Sequence, residues 1–110
     1  MIVNGKDLAM VRGDSESVRF NFEPDTLHAG DTLTMTVRKR WDAPVLFAKS
    51  VSASDGATEL TVNIMPEDTA SAYPGLYVYD VQITWGGSAV QTIIPMHQFD
   101  IIPEVTYSNG

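Results

Sequence analysis

The residues able to do chemistry are few and scattered. His28 and His97 lie far apart, one ahead of a glycine turn and the other just after Pro95, without the close spacing that lets two imidazoles share a metal ion. Glu67 and Asp68 form an acid pair directly behind Pro66, where they could face a ligand or simply build a corner between strands; the corner is the favoured reading. Arg12-Gly13-Asp14 matches a tripeptide that integrins read, but it falls where a glycine turn between two strands is expected. Asp25, Asp31 and Asp55 would meet around calcium only if the fold gathered three loops, and their spacing matches no calcium loop. A Ser, His and Asp set can be picked out, yet no nucleophile elbow or glycine-rich phosphate loop accompanies it, and Gly86-Gly87 reads as a hairpin turn. The expectation is no catalytic residue, no cofactor, no metal ligand and no enzymatic activity.

The elements that would position these residues are strands. Val18, Phe20 and Phe22 alternate with Arg19 and Asn21, and Leu33, Met35 and Val37 alternate with Thr34, Thr36 and Arg38. Leu60, Val62 and Ile64 repeat the pattern, as do Tyr77, Tyr79, Val81 and Ile83. A period of two buries one face of each run. Asp80 then falls on the opposite, solvated face. Weaker runs lie at Asp7 to Arg12, at Val45 to Val51, and at Val90 to Ile94 resuming over Phe99 to Ile102. Pro95 interrupts the last and implies a bulge or an edge, because proline has no N–H for a ladder. Gly13, Gly30, Gly56 and Gly86-Gly87 stand in the turns. Pro66 to Ala72 can form a single helical turn.

About seven short strands at regular spacing predict an all-β fold, an immunoglobulin-like antiparallel β-sandwich, as one domain over residues 1–110. With 44% hydrophobic and 19% charged residues the chain can build a core, and without cysteine it must do so unaided by disulfides. The net charge of −7 opposes a nucleic-acid partner. Arg38-Lys39-Arg40 beside Trp41 is the only basic cluster and reads as a solvated strand end. Neither a signal peptide nor a membrane-length apolar run is visible, so no membrane partner is expected.

Read in order, Arg12-Gly13-Asp14-Ser15, Gly30-Asp31 leading into Met35-Thr36-Val37-Arg38-Lys39, Pro66-Glu67-Asp68-Thr69, Gly75-Leu76-Tyr77-Val78-Tyr79-Asp80-Val81-Gln82, Thr92-Ile93-Ile94, Phe99-Asp100-Ile101 and Glu104-Val105-Thr106 form a signature. It resembles a family of small proteins encoded among the tail genes of phages and prophages of Gram-positive bacteria. More distantly, it is similar to the immunoglobulin-like N-terminal domain of phage baseplate upper proteins. The resemblance covers nearly the whole chain. It departs from the baseplate proteins in stopping soon after Thr106, where they continue into a stalk. It implies a structural role in the virion, placement in the particle or in the host cytoplasm during assembly, and protein partners that are other virion proteins or further copies of the chain.

Two kinds of interaction site follow from the residues. Val90, Gln91, Thr92, Ile93 and Ile94 carry no charge to guard an edge, so that strand is a candidate pairing edge. The rival function is a carbohydrate-binding or adhesion module, for which Trp41, Tyr73, Trp85 and Tyr107 are the ligand-facing aromatics. A shared aromatic platform would favour sugar, and scattered loop positions would favour assembly.

Overall fold

A computed structural model describes residues 6–105. Seven strands and one helical turn follow the period-two runs: β1 (Leu8–Val11), β2 (Glu16–Asn21), β3 (Thr32–Arg38), β4 (Val45–Ser52), β5 (Glu59–Ile64), α1 (Pro66–Thr69), β6 (Gly75–Trp85) and β7 (Ala89–Ile102). Alternation sets the faces. In β3, Leu33, Met35 and Val37 are buried while Thr32, Thr34, Thr36 and Arg38 between them are partly exposed, and β6 repeats this with Tyr77, Tyr79, Val81 and Ile83.

The strands form a five-stranded sheet in the order β1-β7-β6-β3-β4 and a two-stranded sheet of β2 and β5. Phe20, Leu60, Val62 and Ile64 of the small sheet close the core against the inner face of the large one. Phe47 of β4 and Phe99 of β7 stand three strands apart, yet their rings meet edge to face at 6.0 Å. Strands spaced about 4.8 Å apart put those backbones far beyond that distance on a flat sheet, so the large sheet curls around the core.

Two details differ from the sequence expectation. The sheets are not purely antiparallel, because β1 runs parallel to β7, with Leu8 opposite Phe99 and Val11 opposite Ile102. The chain crosses from one sheet to the other between β1 and β2, and this leaves β1 beside the last strand in the same direction. Alternation also fails in the middle of β7, where Ile93 and Ile94 are both buried. Tyr79 faces His97, Val81 faces Ile94 and Gln82 faces Thr92, so β7 carries two extra residues across the break. Pro95 cannot complete the ladder there, and the strand bulges past it.

Hydrogen bonds close both ends of the molecule. At one end Arg12 donates to Glu104 Oε1 from Nε at 3.0 Å and to the Ala72 carbonyl at 3.1 Å, and the Gly13 N–H donates to the buried Thr69 hydroxyl at 2.9 Å. The Tyr77 hydroxyl donates to the Tyr73 carbonyl at 2.9 Å. Asp68 accepts the Met65 N–H at 2.8 Å, which starts α1, and also pairs with Lys49 at 2.7 Å. At the other end Asp31, only 4% exposed, accepts the N–H groups of His28 and Gly86, each at 2.9 Å. One carboxylate thereby fixes the entry to β3 against the β6–β7 turn.

Candidate interaction face

The outer face of the five-stranded sheet carries a small hollow that brings a carboxylate, a guanidinium and an indole together. In the ladder Thr36 stands opposite Asp80, and Arg38 stands opposite Val78. Trp41 follows β3 in the turn to β4, and Met96 sits at the bulge of β7. Together Thr36, Arg38, Trp41, Val78, Asp80 and Met96 line a hollow of about 110 Å³. Its rim is an indole that is 76% exposed, beside a methionine that is 56% exposed. Leu76 and Val45 extend the apolar surface along β6 and β4.

Asp80 projects from the outer face, the face that alternation assigns to it. It is half-buried, like Thr36, Arg38 and Val78 around it on the same face, and it lines the hollow together with Trp41 and Met96. Burial pushes its carboxyl above the ordinary range, opposed by the positive charge of Arg38. The Arg38 guanidinium itself donates to the Ala43 carbonyl at 2.6 Å. The neighbouring cations are also engaged: Lys39 donates to the Leu76 carbonyl at 3.1 Å and lies 4.6 Å from the centre of the Tyr77 ring, and Arg40 pairs with Asp42 at 2.8 Å. The basic cluster is thus spent on binding the β3–β4 turn to the strand beside it.

The four candidate aromatics do not gather. Tyr73, 83% exposed, lies in the loop that leads into β6, and Trp85 ends the same strand. At about 3.3 Å per residue the intervening strand separates the two by roughly 35 Å. Trp85 is partly buried against the core, and its indole N–H donates to Gln91 Oε1 at 3.1 Å, so its polar edge is already taken. Trp41 is the aromatic that fronts a hollow. Tyr107 lies outside the described residues.

The segment Val90 to Ile94 pairs along β6 on one side. On its other side β1 reaches only from Phe99 to Ile102, so among the described residues no strand flanks this half of β7. Val90, Gln91 and Thr92 are exposed, whereas the side chains of Ile93 and Ile94 point into the core. What this edge can offer is backbone together with the first three side chains.

The remaining candidates are structural in their placement. Arg12 of the Arg-Gly-Asp turn is bound within the fold, and Gly13 holds a positive φ of 82° at the turn. Asp68 braces α1 while Glu67 stays exposed. Asp25 and Asp55 are exposed, and Asp31 has both oxygens occupied by backbone N–H groups; hydrogen bonds from His28 and Gly86 hold its carboxyl below the usual range. Among the described residues no three His, Cys, Asp or Glu side chains stand close enough to hold a metal ion, and no helix is long and apolar enough to cross a membrane. The chain matches no family model and no curated protein in sequence comparisons.

Sequence reasoning missed the hollow, although a signal existed. Leu76 and Val78 put apolar side chains on the face of β6 that alternation assigns to solvent. Apolar residues on a nominally wet strand face mark a covered or sticky surface.

Proposed function

We propose that this chain is a non-enzymatic structural and assembly protein of a phage tail or baseplate, built on an immunoglobulin-like scaffold and acting through protein contacts on its outer sheet face. The observation that carries the reading is the exposed apolar group of Trp41, Met96 and Leu76, with Val78 between them, on the outer sheet face. Tryptophan, arginine and methionine around a small hollow have the composition of protein-interface hot spots, in which a few anchors supply most of the binding energy. The virion context rests on the resemblance of the sequence signature to small phage tail-gene products. Mass spectrometry of purified phage particles from a host carrying this gene tests it. The protein should be present in fixed ratio to the tail proteins, and its absence from intact particles overturns the reading.

One observation favours carbohydrate recognition as the second reading: the half-buried Asp80 and the exposed indole of Trp41 line the same hollow, with Thr36 and Arg38. An indole face and a carboxylate are the groups that stack on a pyranose and accept its hydroxyl protons. Titration with host cell-wall polysaccharide, followed by Trp41 fluorescence in a Trp85→Phe background, separates the two. Saturable quenching favours the sugar; an unchanged spectrum favours protein contacts.

A further inference from the structure

We infer that two copies of this chain pair through the open half of β7, antiparallel across a two-fold axis at Gln91. This rests on the assembly reading above and names the partner for one of its surfaces.

Three observations converge on that edge. First, among the described residues Ala89 to Ile94 has a strand neighbour on the β6 side alone, since β1 pairs with β7 only from Phe99 to Ile102. An unpaired strand edge is a template for another strand. Second, from Val81 to Gln98 the sequence holds no Asp, Glu, Lys or Arg, although the whole chain carries a net charge of −7. Two acidic bodies repel, and the surface on which they can meet without apposing carboxylates is this uncharged one. A strongly charged partner would instead leave its own charges without counterparts here. The usual guard against edge pairing, an outward charge, is missing over the whole run.

Third, the register makes the edge self-complementary. Thr84 faces Val90, Ile83 faces Gln91 and Gln82 faces Thr92 across the β6–β7 ladder, which puts Val90 and Thr92 on the outer face and Gln91 on the inner. A two-fold axis at Gln91 sets Val90 of one copy opposite Thr92 of the other, twice, with the two Gln91 residues facing each other. β-branched residues directly opposite are favourable cross-strand pairs. The bulge at Pro95 ends the pairing segment, so the contact is short. A contact of about six residues lies at the small end of specific interfaces. The dimer therefore belongs to the weak, reversible class suited to repeated copies held together in a larger particle.

The chain contains no cysteine, so a single introduced one reports on its own position. Under mild oxidation Gln91→Cys should form a disulfide-linked dimer, since directly opposite residues of an antiparallel pair stand about 4.5–5.5 Å apart at Cα, within disulfide range. Ser50→Cys, exposed on β4, is the control and should stay monomeric on the same timescale. In sedimentation equilibrium the unmodified chain should show concentration-dependent dimerisation. Thr92→Lys and Thr92→Glu should each weaken it at least tenfold, while an equimolar mixture of the two recovers most of the loss. Raising salt should leave the wild-type association unchanged or strengthen it, because only the acidic bodies are screened. A wild type that stays monomeric at millimolar concentration, equal cross-linking of both cysteine variants, or a mixture no better than either charge variant alone overturns the pairing. The particle composition test is independent of all three results, so the assembly reading can survive a monomer.

Discussion

The closed end of the molecule and its outer sheet face are made from the same kinds of residue and differ in what those residues are bound to. At the closed end Arg12, Thr69, Glu104, Asp68 and Tyr77 satisfy one another or nearby backbone, across sequence separations of up to 92 residues. On the outer face the half-buried Asp80 side chain makes no hydrogen bond among the described residues and has the Arg38 charge nearby, and its carboxyl is raised instead of lowered. Polar groups that hold a fold together are paired with the fold; a polar group left short of partners in a hollow is available to something else. The comparison also explains why several of the most conspicuous motifs are poor guides to function here. Arg12 and Gly13 of Arg-Gly-Asp, and Asp68 and Thr69 of Pro-Glu-Asp-Thr, are tied into that end of the fold, while Asp14 and Glu67 stay exposed.

The largest effect should come from the pinned carboxylate at the opposite end. Asp31→Ala removes the acceptor for two backbone N–H groups and frees the β6–β7 turn from the entry of β3. Charge-assisted hydrogen bonds of this type contribute enough that urea unfolding should show a loss of about 2–3 kcal/mol. Thr69→Val comes next: it keeps the shape of a fully buried side chain but orphans the Gly13 N–H, for a loss of about 1–2 kcal/mol. If either change proved neutral, the claim that closed polar groups carry the fold would fail at that site.

How much of this was legible in the sequence depends on whether the determinant is local. Period-two alternation located β2, β3, β5 and β6, because each run needs only its own neighbours to declare a buried face; the other three strands showed only as weaker runs, and Pro95 signalled a bulge or an edge because its missing N–H is a property of one residue. The parallel pairing of β1 with β7 left no trace, since alternation is the same in either direction. The Arg12–Glu104 pair and the hollow that Asp80 shares with Trp41 and Met96 depend on residues brought together only by the finished sheet. The candidate edge at Val90 to Ile94 was visible as an absence of charge, but that Ile93 and Ile94 would both turn inward required the bulge itself.

Acid titration sharpens the contrast between the two carboxylates. Asp31 has a folded pKa below its unfolded value of 3.8, so its stabilisation is complete above that value and is lost as pH falls through the folded pKa. Asp80 has the opposite sign: its folded pKa lies above 3.8, so it opposes folding at neutral pH and the opposition is relieved as pH falls through the folded pKa toward 3.8. Thermal unfolding of Asp80→Asn should therefore lack part of any gain that the wild type shows on mild acidification. Asp31→Asn should lack part of the loss at lower pH. An identical pH profile for the two variants would erase the distinction.

The smallest stability effect should fall on the residue that most defines the open face. Trp41 is 76% exposed and lies in the β3–β4 turn, where Arg38, Arg40 and Asp42 already fix the backbone through contacts that do not involve the indole. Surface side chains outside a network seldom alter stability by more than about 0.5 kcal/mol, so Trp41→Ala should unfold at nearly the wild-type urea concentration. Removing the indole takes one wall from the hollow that Asp80 lines, which should move the Asp80 carboxyl back toward the ordinary range. Following the Asp80 side-chain carbon by NMR through an acid titration would detect that return directly. A midpoint unchanged by Trp41→Ala would mean that the strand face, and not the indole, desolvates Asp80. A substantial loss of stability would mean that Trp41 belongs with the closed contacts and that the outer face is held together in the same way as the end.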